Sequence, residues 1–210
     1  MKTVFMFSGQ GAQYAGMGKD LYKNYPVAKE IFDRADNVLG YSIKDICFED
    51  EQKLGETEFA QPAILTMSIA AMKVLEEEGV RADMTAGLSL GEYSAYVASE
   101  AMDFEEAVAL VQKRGKFMAE AVPSGEGAMY AIIGLDTALV EEACAEATAE
   151  GDGLAVPANY NAPGQIVIAG HAQAAKRAAA LAKEKGAKLT VPLKVSGPFH
   201  TELLQPAAEK

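Results

Sequence analysis

The chain has 210 residues, half of them hydrophobic, and a formal net charge of −11 at pH 7. This length is enough for one sizeable hydrophobic core or two small ones. The negative charge argues against nucleic acid as the main partner, and charged residues or glycine interrupt every apolar run before it is long enough to span a bilayer. We therefore expect a globular protein with no nucleic-acid partner and no membrane partner.

The two cysteines, Cys47 and Cys144, stand far apart and have no metal-binding or redox spacing. Isolated cysteines of this kind predict free thiols in a reducing compartment, and so a cytoplasmic protein. The apolar stretch at the start of the chain ends at Ser8 and Gly9. It is too short for the apolar region of a signal peptide, and it predicts a buried strand instead.

Strand-like and helical patterns alternate along the first half of the chain. Residues 3–7 predict a strand that runs into the glycine-rich loop SGQGAQYAGMG. Further on, residues 84–88 predict a weak strand, and helical periodicity is found at 20–39, 58–78, 90–99 and 104–122. This order of elements indicates an α/β fold.

The pattern changes after residue 123. Strand-like runs appear at 128–135, 155–161, 165–170 and 187–193, and helical runs, the first of them capped by Asp136, at 136–151 and 171–186. The resulting β-α-β-β-α-β order is typical of a ferredoxin-like unit. We therefore predict a ferredoxin-like subdomain at 124–193, inserted into a larger α/β domain formed by 1–123 and 194–210.

Ser89 stands between two glycines in GLSLG, at the junction of a predicted strand and a predicted helix. The G-x-S-x-G pattern at such a junction is typical of a nucleophile elbow, in which a sharp turn lifts the serine hydroxyl clear of the sheet. The start of the following helix presents N–H groups beside it. A serine that caps the helix N-terminus explains the same pattern, so the motif alone leaves both interpretations open.

A serine nucleophile also needs a base, and the chain has two histidines. His200 follows the point where the chain leaves the predicted insert, and clefts form at the seams between subdomains. This favours His200 as the base, with a buried, hydrogen-bonded histidine as the alternative. His171 opens a predicted helix at the end of the insert, which favours a surface or capping role.

Arg114 lies on the inward side of the predicted helix at 104–122, beside Met118, whereas Lys113 and Lys116 point away. An arginine on an apolar face needs an anion, because burial of an unpaired charge is costly. Three interpretations remain open: a buried salt bridge, a side chain that extends to the surface, and a bidentate clamp for a substrate carboxylate.

Five short motifs follow one another along the chain: FSGQGAQYAGMG, GLSLGEYSA, RGKFMAEAVPSGEGAM, ANYNAPGQIVIAG and VSGPFH. In order and spacing they resemble the malonyl-CoA:acyl-carrier-protein transacylase family, from Met1 to the last residue. The resemblance implies a hydrolase-like α/β domain with a ferredoxin-like insert. It also implies malonyl transfer from malonyl-CoA to the phosphopantetheine thiol of acyl carrier protein, with no metal and no bound cofactor.

The resemblance also implies roles for single residues. Ser89 would be the acylated nucleophile, His200 its base, and Arg114 the partner of the free malonyl carboxylate. The backbone N–H groups of Gln10 and Leu90 would bind the oxyanion. Further substrate contacts are implied for Met118, Asn159, Asn161 and Phe199, the last of which looks like the malonyl-type pattern.

The sequence departs from the family in two ways. Leu88 stands where the family usually has a histidine before the nucleophile. A leucine side chain can neither donate nor accept a hydrogen bond at this position. The chain also stops ten residues after His200, whereas the family continues with strands and with the carbonyl that orients the histidine. We therefore expect these 210 residues alone to form a partial domain with uncovered apolar surface and little transfer activity, and a further segment or a partner chain to complete the domain and restore the activity.

Other functions remain open on the sequence alone. A serine esterase or thioesterase shares the elbow and the base but has no reason to place Arg114 inward. A non-catalytic binding protein, or an acyltransferase domain cut from a larger synthase, is also compatible with the motifs.

A basic cluster on and after the second helix of the predicted insert is a candidate docking surface for an acidic carrier protein. A solvated helix face is the alternative explanation. The cluster consists of Lys176, Arg177, Lys183, Lys185 and Lys188.

Overall fold

The structure is a computed structural model that describes residues 2–123, 125–193, 195 and 197–210. The chain divides into two compact units, residues 1–116 and 117–210. Both contain helices and strands, so the α/β class predicted from the sequence is confirmed.

The first unit combines a parallel pair of strands with a set of helices. The strands pair in register from Val4 opposite Met84 to Phe7 opposite Gly87. In chain order the elements are β1 (Val4–Phe7), α1 (Lys19–Asn24), α2 (Pro26–Leu39), α3 (Ile43–Glu49), α4 (Glu51–Leu54), α5 (Thr57–Glu77), β2 (Met84–Gly87), α6 (Gly91–Ala98) and α7 (Phe104–Ala121), whose last residues fall in the second unit.

Helix α5 is the central element of the first unit. It is apolar on most sides, as expected of a helix that is covered all round, and it packs against α2, α3 and α6. Leu65 and Ile69 of α5 are fully buried with Phe32 of α2 and Val108 of α7. This core fixes the helices on which the candidate site is built.

The second unit is an antiparallel sheet with helices on one face. Its elements are β3 (Gly127–Ile133), α8 (Thr137–Ala149), β4 (Ala155–Ala162), β5 (Gln165–His171), α9 (Ala172–Glu184), β6 (Leu189–Pro192), a 3-10 turn (Glu202–Leu204) and α10 (Gln205–Ala208). The strand order is β4-β5-β3-β6. The predicted order of strands and helices in this part of the chain is confirmed.

Side chains alternate between the two faces of this sheet, as strand geometry requires. Ile132 and Ile168 belong to the core shared with α8 and α9. Met129 and Val167 belong to a separate apolar cluster that contains Phe199. The second face is thus partly covered by the segment that carries His200.

The structure differs from the prediction where short helices end. The helix expected at 20–39 is two helices, because Pro26 restricts Tyr25 to an extended conformation (φ −125°, ψ 115°) that ends α1. Helices α3 and α4 were missed. They are too short for periodicity to show, and they start at the side-chain caps Ser42 and Asp50.

Apolar side chains lie exposed on the β1–β2 pair. Met6 is 82% exposed, and Val4 and Met84 are 44% and 54% exposed. The expectation that apolar surface on this sheet lacks cover agrees with these exposures. In the described parts of the chain, no helix is both long and apolar enough to cross a membrane.

Both thiols are free, as predicted, and both are buried. Burial raises the pKa of Cys47 and of Cys144 to about 12. Because the thiolate is the reactive form, we expect neither cysteine to react with a thiol reagent at about pH 8 in the folded protein, and both to react after unfolding in denaturant. Rapid labelling of either cysteine in the native protein would contradict this.

Candidate active site

The candidate site starts at the carboxyl ends of β1 and β2. Because the strands are parallel and Phe7 pairs with Gly87, the loops that follow them leave the sheet at the same edge. These loops touch, since a Cβ added to Gly9 would lie 2.7 Å from the carbonyl oxygen of Leu88. Topology therefore brings the loop that holds Gln10 against the turn that holds Ser89.

Ser89 occupies the sharp turn between β2 and α6. Its φ of 52° lies in the left-handed region, which is uncommon for a residue other than glycine and is concentrated at functional sites. The turn is tight, because a Cβ at Gly91 would collide with the carbonyl oxygen of Phe7. The capping interpretation is wrong: the N-cap of α6 is Leu90, whose side chain forms no capping hydrogen bond in the described chain.

Two backbone N–H groups beside this turn are available as hydrogen-bond donors. Within the part of the chain that the structure describes, the N–H groups of Gln10 and Leu90 donate to no protein acceptor. Leu90 is fully buried, whereas the side chain of Leu88 is 55% exposed. Unpartnered N–H groups that flank a serine are what an oxyanion requires.

Arg114 of α7 lies directly beside Ser89. Its Nη2 donates to Ser89 Oγ (3.3 Å) and its Nη1 donates to Gln61 Oε1 (2.8 Å). The guanidinium also lies 5.5 Å from the centre of the Tyr93 ring. Arg114 therefore lies on the inward side of the helix, and Lys113 and Lys116 are exposed, as predicted.

The charge of Arg114 has no acidic partner among the residues that the structure describes. Among residues 2–123, 125–193, 195 and 197–210, no carboxylate lies within 4.0 Å of its guanidinium nitrogens. The salt-bridge interpretation therefore finds no support in the described chain. A guanidinium has five N–H donors, and Gln61 and Ser89 take two of them, so three remain for a carboxylate beside Ser89.

Two polar residues of α5 belong to the site although sequence reasoning missed them. Gln61, which is fully buried, accepts the hydrogen bond from Arg114. Thr57, 2% exposed, accepts a hydrogen bond from Gln10 Nε2 (3.1 Å). The one signal in the sequence was the presence of polar residues in an otherwise apolar helix.

His200 lies in the second unit, in a segment whose backbone is held by a buried side chain and a hydrogen bond. Its φ of 61° is again left-handed, and among the described residues this is otherwise true, glycines apart, only of Ser89 and Glu100. Phe199 beside it is buried, and Thr201 Oγ1 donates to the carbonyl oxygen of Pro198 (2.8 Å). The side chain of His200 is exposed.

The remaining predicted contacts also lie in the second unit. Met118 and Phe199 belong to the same apolar cluster. Asn159 pairs with Val167 in the β4–β5 ladder and so shares the face of that cluster, whereas Asn161 is exposed at a register shift. Met118, Phe199 and Asn159 therefore lie at the same face of the sheet.

His171 occupies a capping position, in agreement with the predicted surface or capping role. It is the N-cap residue of α9, and its Nδ1 accepts a hydrogen bond from the backbone N–H of Leu154 (2.9 Å).

The basic cluster is not the open positive surface that the docking hypothesis requires. Arg177 forms a bidentate pair with Glu150, with N–O distances of 2.7 and 2.8 Å. Lys185 contacts Glu142 and Glu146, and Lys183 donates to two backbone carbonyls. Acids of α8 and its C-cap residue Glu150, distant in sequence, pair with Lys185 and Arg177, which favours the solvated helix face.

Comparisons with known proteins agree on one family. The model of the acyl transferase domain matches residues 4–210. Malonyl CoA-acyl carrier protein transacylase from Bacillus subtilis is 53% identical over 210 residues, which are 100% of this chain and 66% of that protein. The chain thus spans about two thirds of the length of this relative.

Solved structures give the same result. MCAT from Streptococcus pneumoniae is 55% identical, with a TM-score of 0.92 over 99% of this chain and 68% of that one. A malonyl-transacylase solved in complex with its type II PKS acyl-carrier protein is 44% identical, with a TM-score of 0.95 over 100% of this chain and 68% of that one.

Proposed function

Because this chain belongs to the acyl transferase domain family, we propose that it transfers a malonyl group from malonyl-CoA to the phosphopantetheine thiol of an acyl carrier protein, as in fatty acid biosynthesis. The observation that carries this proposal is the Arg114 guanidinium, 3.3 Å from Ser89 Oγ and without a carboxylate partner in the described chain. A short acyl group on Ser89 that ends in a carboxylate would satisfy this charge.

In the first half-reaction, Ser89 Oγ attacks the thioester carbonyl carbon of malonyl-CoA while His200, the proposed base, takes the hydroxyl proton. The carbonyl oxygen becomes an oxyanion that the N–H groups of Gln10 and Leu90 are placed to bind. The carbon–sulfur bond then breaks. Coenzyme A leaves as the thiol with the proton from His200, and malonyl remains on Ser89 as an ester.

The second half-reaction is the reverse with a different thiol. His200 takes the proton of the phosphopantetheine thiol, and the sulfur attacks the malonyl ester. When the tetrahedral intermediate collapses, Ser89 recovers its proton and malonyl leaves on the carrier. The malonyl-CoA thioester and the carrier thiol are the two substrates, so the cycle needs no bound cofactor.

Arg114 gives the reaction its selectivity. A guanidinium that pairs with the malonyl carboxylate gains charge-assisted hydrogen bonds, which an acetyl group cannot supply. Binding of an acetyl group leaves the cation unpaired. Met118, Phe199, Asn159 and Asn161 are the proposed further substrate contacts.

The proposal extends to the architecture. The strand order β4-β5-β3-β6 supports a ferredoxin-like subdomain at 124–193, and the strand–turn–helix around Ser89 supports a hydrolase-like larger domain formed by 1–123 and 194–210. Two free buried thiols support a cytoplasmic location.

The proposed function is tested by following labelled malonyl-CoA with holo carrier protein, and with apo carrier protein, which lacks phosphopantetheine, as the matched control. We expect label to move to the holo form alone. Release of the label as free malonate at the same rate with and without carrier would show a hydrolase instead. Absence of any covalent label on a folded protein would contradict both enzymatic functions.

A further inference from the structure

Thr57 and Gln61 stand four residues apart on α5, so they lie on the same face of the helix, one turn apart. Thr57 contacts the side chain of Gln10, and Gln61 contacts the guanidinium of Arg114. One helical turn thus touches the residues proposed for the oxyanion and for the malonyl carboxylate.

Both contacts are buried and well defined. Gln61 is 0% exposed and Thr57 is 2% exposed, and buried polar groups lose free energy when they lack a hydrogen-bond partner. The hydrogen bonds, at 2.8 Å from Arg114 and 3.1 Å from Gln10, supply such partners. A side chain bound in this way has little freedom to change rotamer.

Helix α7 meets this turn of α5 by direct backbone contact. A Cβ added to Gly115 would lie 2.6 Å from the carbonyl oxygen of Thr57 and 2.9 Å from Cα of Glu58. Because backbone atoms cannot move aside cheaply, glycine is required for this approach. The neighbour of Gly115 in sequence is Arg114, so the approach fixes how far the guanidinium stands from α5.

We propose that Thr57 and Gln61 are positioning residues with separate functions: Gln61 sets the acyl selectivity by orienting Arg114, and Thr57 sets the rate by orienting the oxyanion loop at Gln10. The proposal rests on the proposed malonyl transfer. Neither residue touches the reacting atoms, so each acts through the residue that it holds.

Gln61→Leu keeps the approximate volume of the side chain and removes the acceptor. We expect the kcat/KM for malonyl transfer to fall by about 10- to 100-fold, the effect of losing a hydrogen bond to a charged group, mainly through a higher KM. Acetyl transfer does not use the cation, so it should change by less than about 3-fold.

Thr57→Val keeps the shape of the side chain and removes the hydroxyl. Loss of one oxyanion donor costs about 10²–10³-fold in kcat, so a misaligned donor should lower kcat by up to about 100-fold. The loss should be equal for malonyl and acetyl groups, with KM unchanged. Thr57→Ser keeps the hydroxyl and should restore the rate.

The matched control is Thr66→Val. Thr66 lies on the same helix and is fully buried, and its hydroxyl has no hydrogen-bond partner within the described ranges. This variant should leave both rates and the acyl selectivity unchanged.

The test measures kcat and KM for malonyl and acetyl transfer in the full protein, together with thermal unfolding of each variant. A malonyl-specific loss in Gln61→Leu and an equal loss for both acyl groups in Thr57→Val support the proposal. Unchanged kinetics, or losses in both variants that are equal for both acyl groups and follow the drop in Tm, would overturn it. Failure of the unmodified protein to transfer malonyl would instead refute the proposed function.

Discussion

Arg114→Ala should lower kcat/KM for malonyl transfer by roughly 30-fold to several thousand-fold and change acetyl transfer far less. The range corresponds to about 2–5 kcal/mol, the cost of removing one partner of a desolvated charge pair. The partner here is the malonyl carboxylate. The guanidinium is available to it because Gln61 and Ser89, both neutral, are its hydrogen-bond partners in the described residues.

Two further variants make this result specific. Arg114→Lys keeps the charge but loses the planar fork, so it should recover only part of the malonyl activity. Lys113→Ala, at the exposed neighbour on the same helix, should have no effect on either acyl group. Equal losses for malonyl and acetyl transfer in Arg114→Ala would show that the arginine has a structural role.

Ser89→Ala should abolish transfer, with a loss of about 10⁴-fold or more, as when the nucleophile of a catalytic set is removed. The fold should persist. Ser89 caps no helix, and its left-handed backbone (φ 52°) is no harder for alanine than for serine. Transfer is measured with labelled malonyl-CoA and holo carrier protein.

Ser94→Ala is the control for this loss. Ser94 lies on α6 only five residues away and is fully buried, with no hydrogen-bond partner for its hydroxyl among the described residues. It should retain full transfer. If Ser89→Ala retained activity while folded, another residue would be the nucleophile.

The sequence predicted the long elements of this fold well because their patterns are local. The helix at 104–122 has an apolar face that repeats over five turns, and the structure places it at Phe104–Ala121. Helices α3 and α4 have no such repeat. Their starts depend on the capping residues Ser42 and Asp50. Serine and aspartate also occur in short polar stretches elsewhere in the chain, so the caps alone do not identify these helices.

In the site, too, the features that depend on local sequence were predicted and the others were not. The turn at Ser89 and the inward side of Arg114 follow from nearby residues. The contacts of Gln61 and Thr57 do not follow from nearby residues. Gln61 meets Arg114 where α7 approaches α5, 53 residues further along the chain, and Thr57 meets Gln10, which lies 47 residues earlier.

The basic cluster loses support as a docking surface for the same reason, and the docking hypothesis stays a prediction. Its charges lie close together in sequence, but Lys185 pairs with acids of α8 and Arg177 pairs with Glu150, the residue that follows α8. Charge counted along one helix therefore says little about the potential of the folded surface.

The position of the malonyl group on the protein tests the central claim most directly. The unmodified protein is mixed with malonyl-CoA without carrier, and its intact mass and peptide masses are measured. We expect one malonyl group per chain, on the peptide that contains Ser89, and its removal when holo carrier protein is added. A malonyl group on another peptide, or transfer to the carrier with no covalent malonyl-protein formed, would contradict the account.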